Sequence, residues 1–500
     1  MDIKRAKQEI EHAVKAYLAV DDTGTPLIPP IRQRPILLMG PPGVGKTQIM
    51  EQIAQECGIA LVAYTITHHT RQSAVGLPFI RHRNFGGADR SVTGYTMSEI
   101  IASVYDKMEQ TGLEHGILFI DEINCVSETL APAMLQFLQY KTFGNHEIPK
   151  GWVIVAAGNP PEYNKSVREF DVVTMDRVKK ITVEPDFQVW KEYAYQENIH
   201  PSVLSYLSLR TAFFYAMETT VDGRVFATPR GWEDLSVMIS IYEKMEKPVT
   251  AELVIQYLQH PKIARDFAGY YELYRKYEAD YQIDEILQGK SFEGMVKKIA
   301  HASFDEKMSV VNLLFSGVSQ AVREAVLQEE ILEKVYHTLK LVREVIEESG
   351  DPLLTVEQHM ELQKEEWQRK RGAQILTHRE DRCWRKTLER LEAYKNAAAA
   401  AEEKDGSTVF GILKTAFEKD RESYEEAFSH GSSVLEHAFD FMETVFLNSQ
   451  EMVVFVSNLN MDFSCIRFLQ EYECERYYRY NREMLFEDVS SEIRKRIEAL

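Results

Sequence analysis

Cysteine is scarce: the chain has five in 500 residues, at Cys57, Cys125, Cys383, Cys465 and Cys474. None are spaced as C-x-x-C and the number is odd, which argues against a disulfide framework and against a structural zinc site. Long apolar runs are also lacking; no uninterrupted stretch reaches the ~18 residues that would suggest a membrane span. The opening residues, MDIKRAKQEIEHAVKAYLAVDD, are charged throughout and have no apolar core of a secretory signal. Positive charge is in deficit, leaving a formal net charge of −19. So acidic a surface repels phosphate backbones at long range and weighs against non-specific nucleic-acid binding, though it leaves room for one local basic groove. These absences point to a soluble protein of a reducing, cytoplasmic compartment.

What is present is ordinary globular material, 44% hydrophobic and 27% charged, enough for more than one core. At ~150 residues per domain the length suggests about three domains. Against this background one stretch is distinctive. Residues 34–50 read RPILLMGPPGVGKTQIM. Their middle, GPPGVGKT, satisfies G-x-x-x-x-G-K-[ST] and sits between a short apolar run and a helical pattern, the context a phosphate loop demands. Gly43 and Gly45 let successive backbone N–H groups turn inward as an anion nest. Gly40, Pro41, Pro42, Val44 and Gln48 complete the cradle. Lys46 supplies a point charge for the β- and γ-phosphates, and the Thr47 hydroxyl suits Mg2+.

Two further apolar strands end in polar residues. ILFIDE brings Asp121, a candidate Mg2+ ligand, and Glu122, a candidate general base for the attacking water. GWVIVAAGNPP ends in Asn159, whose amide could orient that water near the γ-phosphate. Strands alternate with helical patterns up to about residue 183, which argues for a parallel sheet with helices on both faces. The helical patterns lie at 47–57, 98–110 and 128–139, and the second strand at 60–67. Gly86-Gly87 between short segments reads as a hairpin or insert. His68 and His69 are adjacent, so on a strand they face opposite sides and do not share a metal ion. Arg81, His82 and Arg83 are candidates for touching a partner.

Beyond residue 183 the apolar spacing turns helical. Residues 210–245 read as one compact helical unit. Residues 356–404 read as one long helix or a hairpin turning near Gly372, and 408–500 as helical again. The organisation expected is an α/β nucleotide-binding domain over 1–185, a helical lid over 186–262 and a helical C-terminal region over 263–500, with the long helix or hairpin near 354–404.

The succession GPPGVGKT, FIDEIN, AAGNPPEY, MDRVKK and ATPRGWEDL resembles the AAA+ ATPases, and within them the MoxR-like group, over about residues 30–245. The resemblance implies an α/β P-loop AAA+ core followed by a helical lid, ATP and Mg2+ as ligands, ATP hydrolysis and a hexameric ring. It implies that Asn159 is sensor 1, that Arg177 is an arginine finger reaching a neighbour's γ-phosphate, and that Arg230 is sensor 2. It implies that the Gly86-Gly87 hairpin is the insert facing the pore or partner. The expected partner class is a protein carrying a von Willebrand factor A domain, remodelled in a chaperone-like way. Two departures stand out: Cys125 occupies a position where the group usually has arginine, and residues 160–175 do not follow the common pattern, so Arg168 rivals Arg177 as the finger. A nucleic-acid-directed ring ATPase is the alternative, disfavoured by the acidic charge. A binding scaffold with little turnover is disfavoured by the intact Glu122. NKS, at 164–166, resembles a guanine signature only superficially.

Overall fold

The structure, a computed structural model, describes residues 1–68, 71–143, 146–163, 167, 170–221, 223–347, 351–372, 376–400, 406–447 and 449–484. The chain divides into two compact units. The first comprises Met1–Val189 with Thr228–Arg230 and Glu365–Thr377; the second comprises Trp190–Ala227, Gly231–Lys364 and the chain from His378 on.

The first unit is built on a five-stranded parallel sheet. Its strands are β1 (Ile36–Met39), β2 (Ala60–Thr65), β3 (Gly116–Asp121), β4 (Trp152–Gly158) and β5 (Lys179–Thr182). Their spatial order is β2-β3-β4-β1-β5. All seven residues of β4 are buried, as a strand covered on both faces requires. The chain leaves β1, crosses to the far edge at β2, works back through β3 and β4, and finally passes to β5 on the other side of β1. The carboxyl ends of β3, β4 and β1 therefore lie side by side next to the reversal of strand order, the crevice where open α/β sheets place ligands.

Helices α1 (Ile3–Leu18), α2 (Lys46–Cys57), α3 (Glu99–Thr111) and α4 (Ala131–Tyr140) flank the sheet. Asp2 caps α1 through the Arg5 amide and Ser98 caps α3 through that of Ile100, each satisfying an otherwise orphaned donor. Gly58, at φ 63°, ends α2 in the left-handed conformation that glycine favours. One core joins Val62, Ile101, Leu118, Ile120, Met134, Phe137 and Ile154. The hairpin at Gly86-Gly87 pairs Pro78–Phe85 with Ala88–Tyr95. Both turn glycines have positive φ, 60° and 87°, as a two-residue type I′ turn demands.

Two features of this unit depart from the sequence reading. The fifth strand, Lys179–Thr182, went unseen because only Ile181 is buried and its neighbours are charged or polar, the usual dress of an edge strand. Helix α4 begins at Ala131 rather than 128: Ser127–Leu130 form a turn, and proline stands in the first turn of the helix, where a missing N–H costs nothing.

The second unit is mainly helical. An aromatic core joins Tyr206, Trp232, Phe267 and Tyr270 with ring centroids 5.2–5.6 Å apart. The stretch 210–245 is not wholly helical: Ala216–Thr220 and Gly223–Ala227 form an antiparallel hairpin. Five-residue strands are too short for their alternation to stand out against the surrounding helical spacing. Residues 356–399 form two helices, Pro352–Gly372, whose residues from Glu365 on belong to the first unit, and His378–Ala399. The 44-residue helix Phe304–Glu347 carries Leu327, Ile331, Val335, Leu339 and Val342 into a cluster with Leu391, Tyr394, Val409 and Leu413. By length and composition Phe304–Ile346 could cross a membrane, but 67% of its most apolar window is buried within the protein, as in a core helix. Helices Gln450–Met461 and Phe463–Glu471 meet the same criterion only as a pair, bent by 89°.

Candidate nucleotide site

The loop after β1 has the backbone its composition calls for. Gly43 and Gly45 have φ of 78° and 86°, and Gly45 immediately precedes α2. Its turn and the first free amides of α2 make a concave array of donors suited to phosphate oxygens. The loop is tightly held. A Cβ on Gly43 would sit 2.9 Å from that of Thr228, and one on Gly40 3.0 Å from the Val183 carbonyl oxygen.

Lys46 is buried, at 8% exposure. Its Nζ donates to the carbonyls of Gly40 and Pro41, each at 2.8 Å, and to Oδ1 of Asn159 at 2.9 Å. Burial lowers its pKa to about 8; the negative charges of Asp121 and Glu122 oppose that fall, and the positive charge of Arg230 adds to it. The ammonium is thus short of anionic partners inside the cradle, the environment in which a polyphosphate would be taken up.

The other two strand ends converge here. Thr47 Oγ1 donates to Asp121 Oδ2 at 3.3 Å. This hydroxyl and carboxylate are hard oxygen ligands of the kind Mg2+ takes when it binds a nucleotide phosphate. Asp121 Oδ1 also accepts the Glu122 amide at 2.8 Å. Glu122 itself has φ 56°, a left-handed conformation uncommon for a non-glycine residue and often found at functional positions. Its Oε2 accepts from Thr67 Oγ1 at 2.9 Å.

Asn159, just past β4, is positioned by a residue to which the sequence reading gave no role. Asn124, 2% exposed, donates through Nδ2 to the Asn159 carbonyl at 2.8 Å and accepts the Asn159 amide through Oδ1 at 3.3 Å. A Cβ on Gly158 would fall 2.5 Å from that same Oδ1, so β4 must end in glycine for the clamp to close. The signal for Asn124 in the sequence is an amide side chain two positions beyond the paired acids. Thr67 and Thr228 offered no comparable signal, because their roles depend on contacts across the fold.

The arginines are placed differently. Arg230 is exposed at the start of helix Pro229–Lys244, and its charge is felt by Lys46. Arg177 is exposed between Val172–Met175 and β5 and donates to Gln139 Oε1. Val172 and Val173, in the short helix just before it in sequence, are 84% and 58% exposed. Arg168, His69 and residues 164–166 lie outside the described residues.

A family match agrees with this geometry. Residues 36–176 match the family described as ATPase family associated with various cellular activities (AAA). No curated protein matches the chain. Among solved structures, a protein of Cytophaga hutchinsonii ATCC 33406, provisionally described as an ATPase, aligns at 17% identity with a TM-score of 0.24, covering 39% of this chain. The chain spans only 56% of that protein's length. With a family match over the phosphate loop, the paired acids and the third strand end, the chain contains an AAA-type ATPase domain.

Proposed function

We propose that the protein is a MoxR-type AAA+ ATPase that couples ATP hydrolysis to remodelling of a partner protein. The observation that carries the nucleotide reading is the contact of Lys46 Nζ with Asn159 Oδ1 at 2.9 Å, beside the Thr47–Asp121 pair. Together the two contacts join three strand ends around the phosphate loop.

In this reading residues 40–48 hold the triphosphate, and Thr47 and Asp121 hold Mg2+, which when bound neutralises charge on the β- and γ-phosphate oxygens. Glu122 takes the proton of the attacking water. Asn159 orients that water, and Lys46 offsets charge on the transferring phosphoryl group. Arg230 is the sensor that reads the nucleotide, with residues 186–262 as the lid. Arg177 acts in trans on the nucleotide of a neighbouring subunit in a hexameric ring; such a finger is worth ~10³–10⁵ in rate. Its exposure, and that of Val172 and Val173 just before it in sequence, supports an interface role. The client belongs to the class of proteins with von Willebrand factor A domains, and the work is done in the cytoplasm.

The test is ATP turnover together with capture by Glu122→Gln protein in ATP and Mg2+. The reading expects wild-type hydrolysis, loss of turnover by ~10²–10⁴-fold in the variant, retained ATP binding, and an ATP-dependent assembly that holds a protein client. Turnover unaffected by Glu122→Gln would overturn the catalytic assignment. Capture of nuclease-sensitive nucleic acid in place of protein would favour a nucleic-acid-directed motor.

A further inference from the structure

The hairpin Pro78–Phe85/Ala88–Tyr95 is a two-stranded sheet whose two faces differ sharply. Its register pairs Phe79 with Gly94, Arg81 with Val92, Arg83 with Arg90 and Phe85 with Ala88. Residues paired across strands share a face, and alternate residues along a strand do too. One face therefore carries Phe79, Arg81, Arg83, Phe85, Arg90 and Val92. The opposite face pairs its polar side chains internally, His82 with Ser91 at 3.2 Å and Asn84 with Asp89 at 3.1 Å, beside an exposed Ile80. Those two bonds fix the sorting, and they leave the hairpin's only acid, Asp89, on the face without arginines.

The arginine face is costly as it stands. Arg83 and Arg90 are directly opposed, and like charges in that relation repel. Arg81 lies diagonally from Arg90, within about 8 Å at the Cβ atoms. Among the described residues no acid forms an ion pair with any of the three. Arg83 and Arg90 are exposed and Arg81 half-buried, in a chain whose net charge is −19. At either end of this basic strip lies a phenylalanine, Phe79 at 44% and Phe85 at 51% exposure. The Phe79 ring rests over Gly94, whose Cβ would fall 2.9 Å from it, so the ring is held in place while keeping an open side. Six residue steps of strand separate the two rings, about 20 Å.

We propose that this face is a docking surface for an extended acidic segment of a client protein. The three guanidiniums take carboxylates by bidentate hydrogen bonds, and Phe79 and Phe85 take apolar side chains at the ends of a stretch of about six or seven residues. The charge complementarity is the commitment: the strip is basic where the rest of the chain is acidic, so it recruits an anionic partner and repels basic ones. The inference deepens the proposed function, since it rests on the chain acting on a protein client. It names the chemistry by which that client is held. Single-stranded nucleic acid would use the same cations and rings and is the competing outcome.

The test uses fluorescence anisotropy of the full chain with three labelled probes: an acidic heptapeptide, EVDFEVD; its charge-reversed form, KVKFKVK; and a single-stranded oligothymidylate. The variants are Arg83→Glu with Arg90→Glu, and separately Phe85→Ser. All three positions are exposed on the hairpin, and circular dichroism reports the fold. The expected result is binding of the acidic peptide by wild type, a loss of about tenfold or more in the double variant, a smaller loss for Phe85→Ser, and a switch of the double variant to the lysine peptide. An acidic peptide that does not bind, or binds both proteins alike, overturns the proposal; so does tighter, arginine-dependent binding of the oligonucleotide. Basal ATP turnover, measured on the same samples, separates the two levels. Turnover with no peptide binding sinks the docking surface alone. Peptide binding without turnover leaves the surface standing and removes the ATP-driven reading.

Discussion

The hydroxyl of Thr67, just beyond the end of β2, donates to Oε2 of Glu122 at 2.9 Å, across from the end of β3. That bond holds the carboxylate in one orientation, turned toward the end of β2. Thr67→Ala removes that restraint without touching the phosphate loop. The expected outcome is a rise in basal ATP turnover of roughly 2- to 10-fold, the worth of one hydrogen bond, with KM for ATP little changed. Thr67→Ser should behave as wild type. Steady-state kinetics of the three proteins decides it, and a fall in kcat for Thr67→Ala would show that the hydroxyl holds Glu122 in its working position instead.

Lys46 gives a pH signature. Burial lowers its pKa to about 8, so near pH 8 roughly half of the free sites carry a neutral amine. Phosphate oxygens beside it favour the charged form, and ATP binding should therefore draw a proton in. Calorimetry in buffers of different ionisation enthalpy should find uptake of about half a proton at pH 8, falling towards none below pH 7. For stability the sign is the reverse of a partnered lysine. The unfolded chain binds the proton more tightly, so the cost of burying the charge is fully present below pH 8 and is relieved as pH rises from about 8 towards the unfolded value. Proton release on binding would contradict the placement of Lys46 against the phosphates.

Asn124 is a positioning residue. Its side chain meets both the carbonyl and the amide of Asn159 in a nearly closed setting. Asn124→Ala leaves the part-buried carbonyl and amide of Asn159 without these bonds, at up to about 1–3 kcal/mol each. The melting temperature should drop, and kcat should fall more than ATP affinity because Asn159 loses its aim. Asn124→Asp restores the acceptor but not the donor and should recover only part of either. Loss of affinity with kcat intact would refute the positioning role.

Arg177 is expected to act on a neighbour. Arg177→Ala should cut turnover by ~10³-fold or more while ATP binding is retained. Mixing it with Lys46→Ala protein, which offers an arginine but no competent cradle, should restore part of the activity. Sedimentation and turnover of the mixture test this together. A mixture no more active than its components would place Arg177 in a local role, such as its bond to Gln139.

Much of the site was legible in the residues themselves, because its chemistry is local. GPPGVGKT must turn where Gly43 and Gly45 adopt positive φ, and the apolar runs ending in Asp121 and Asn159 must be buried strands with polar tips. Those are short-range demands on backbone and burial. The turn at Gly86-Gly87 was readable for the same reason. Tertiary structure alone decided what depends on pairing. The strand order β2-β3-β4-β1-β5 brings Lys46 against Asn159 and Thr67 against Glu122, across separations of 113 and 55 residues, and no local pattern encodes which strand ends become neighbours. The edge strand at 179–182 and the hairpin at 216–227 escaped because short or charged strands carry little periodicity. The arginine strip was half visible, as Arg81 and Arg83. Only the register, a property of two strands aligned by their turn, put Arg90 opposite Arg83 and Asp89 on the other face.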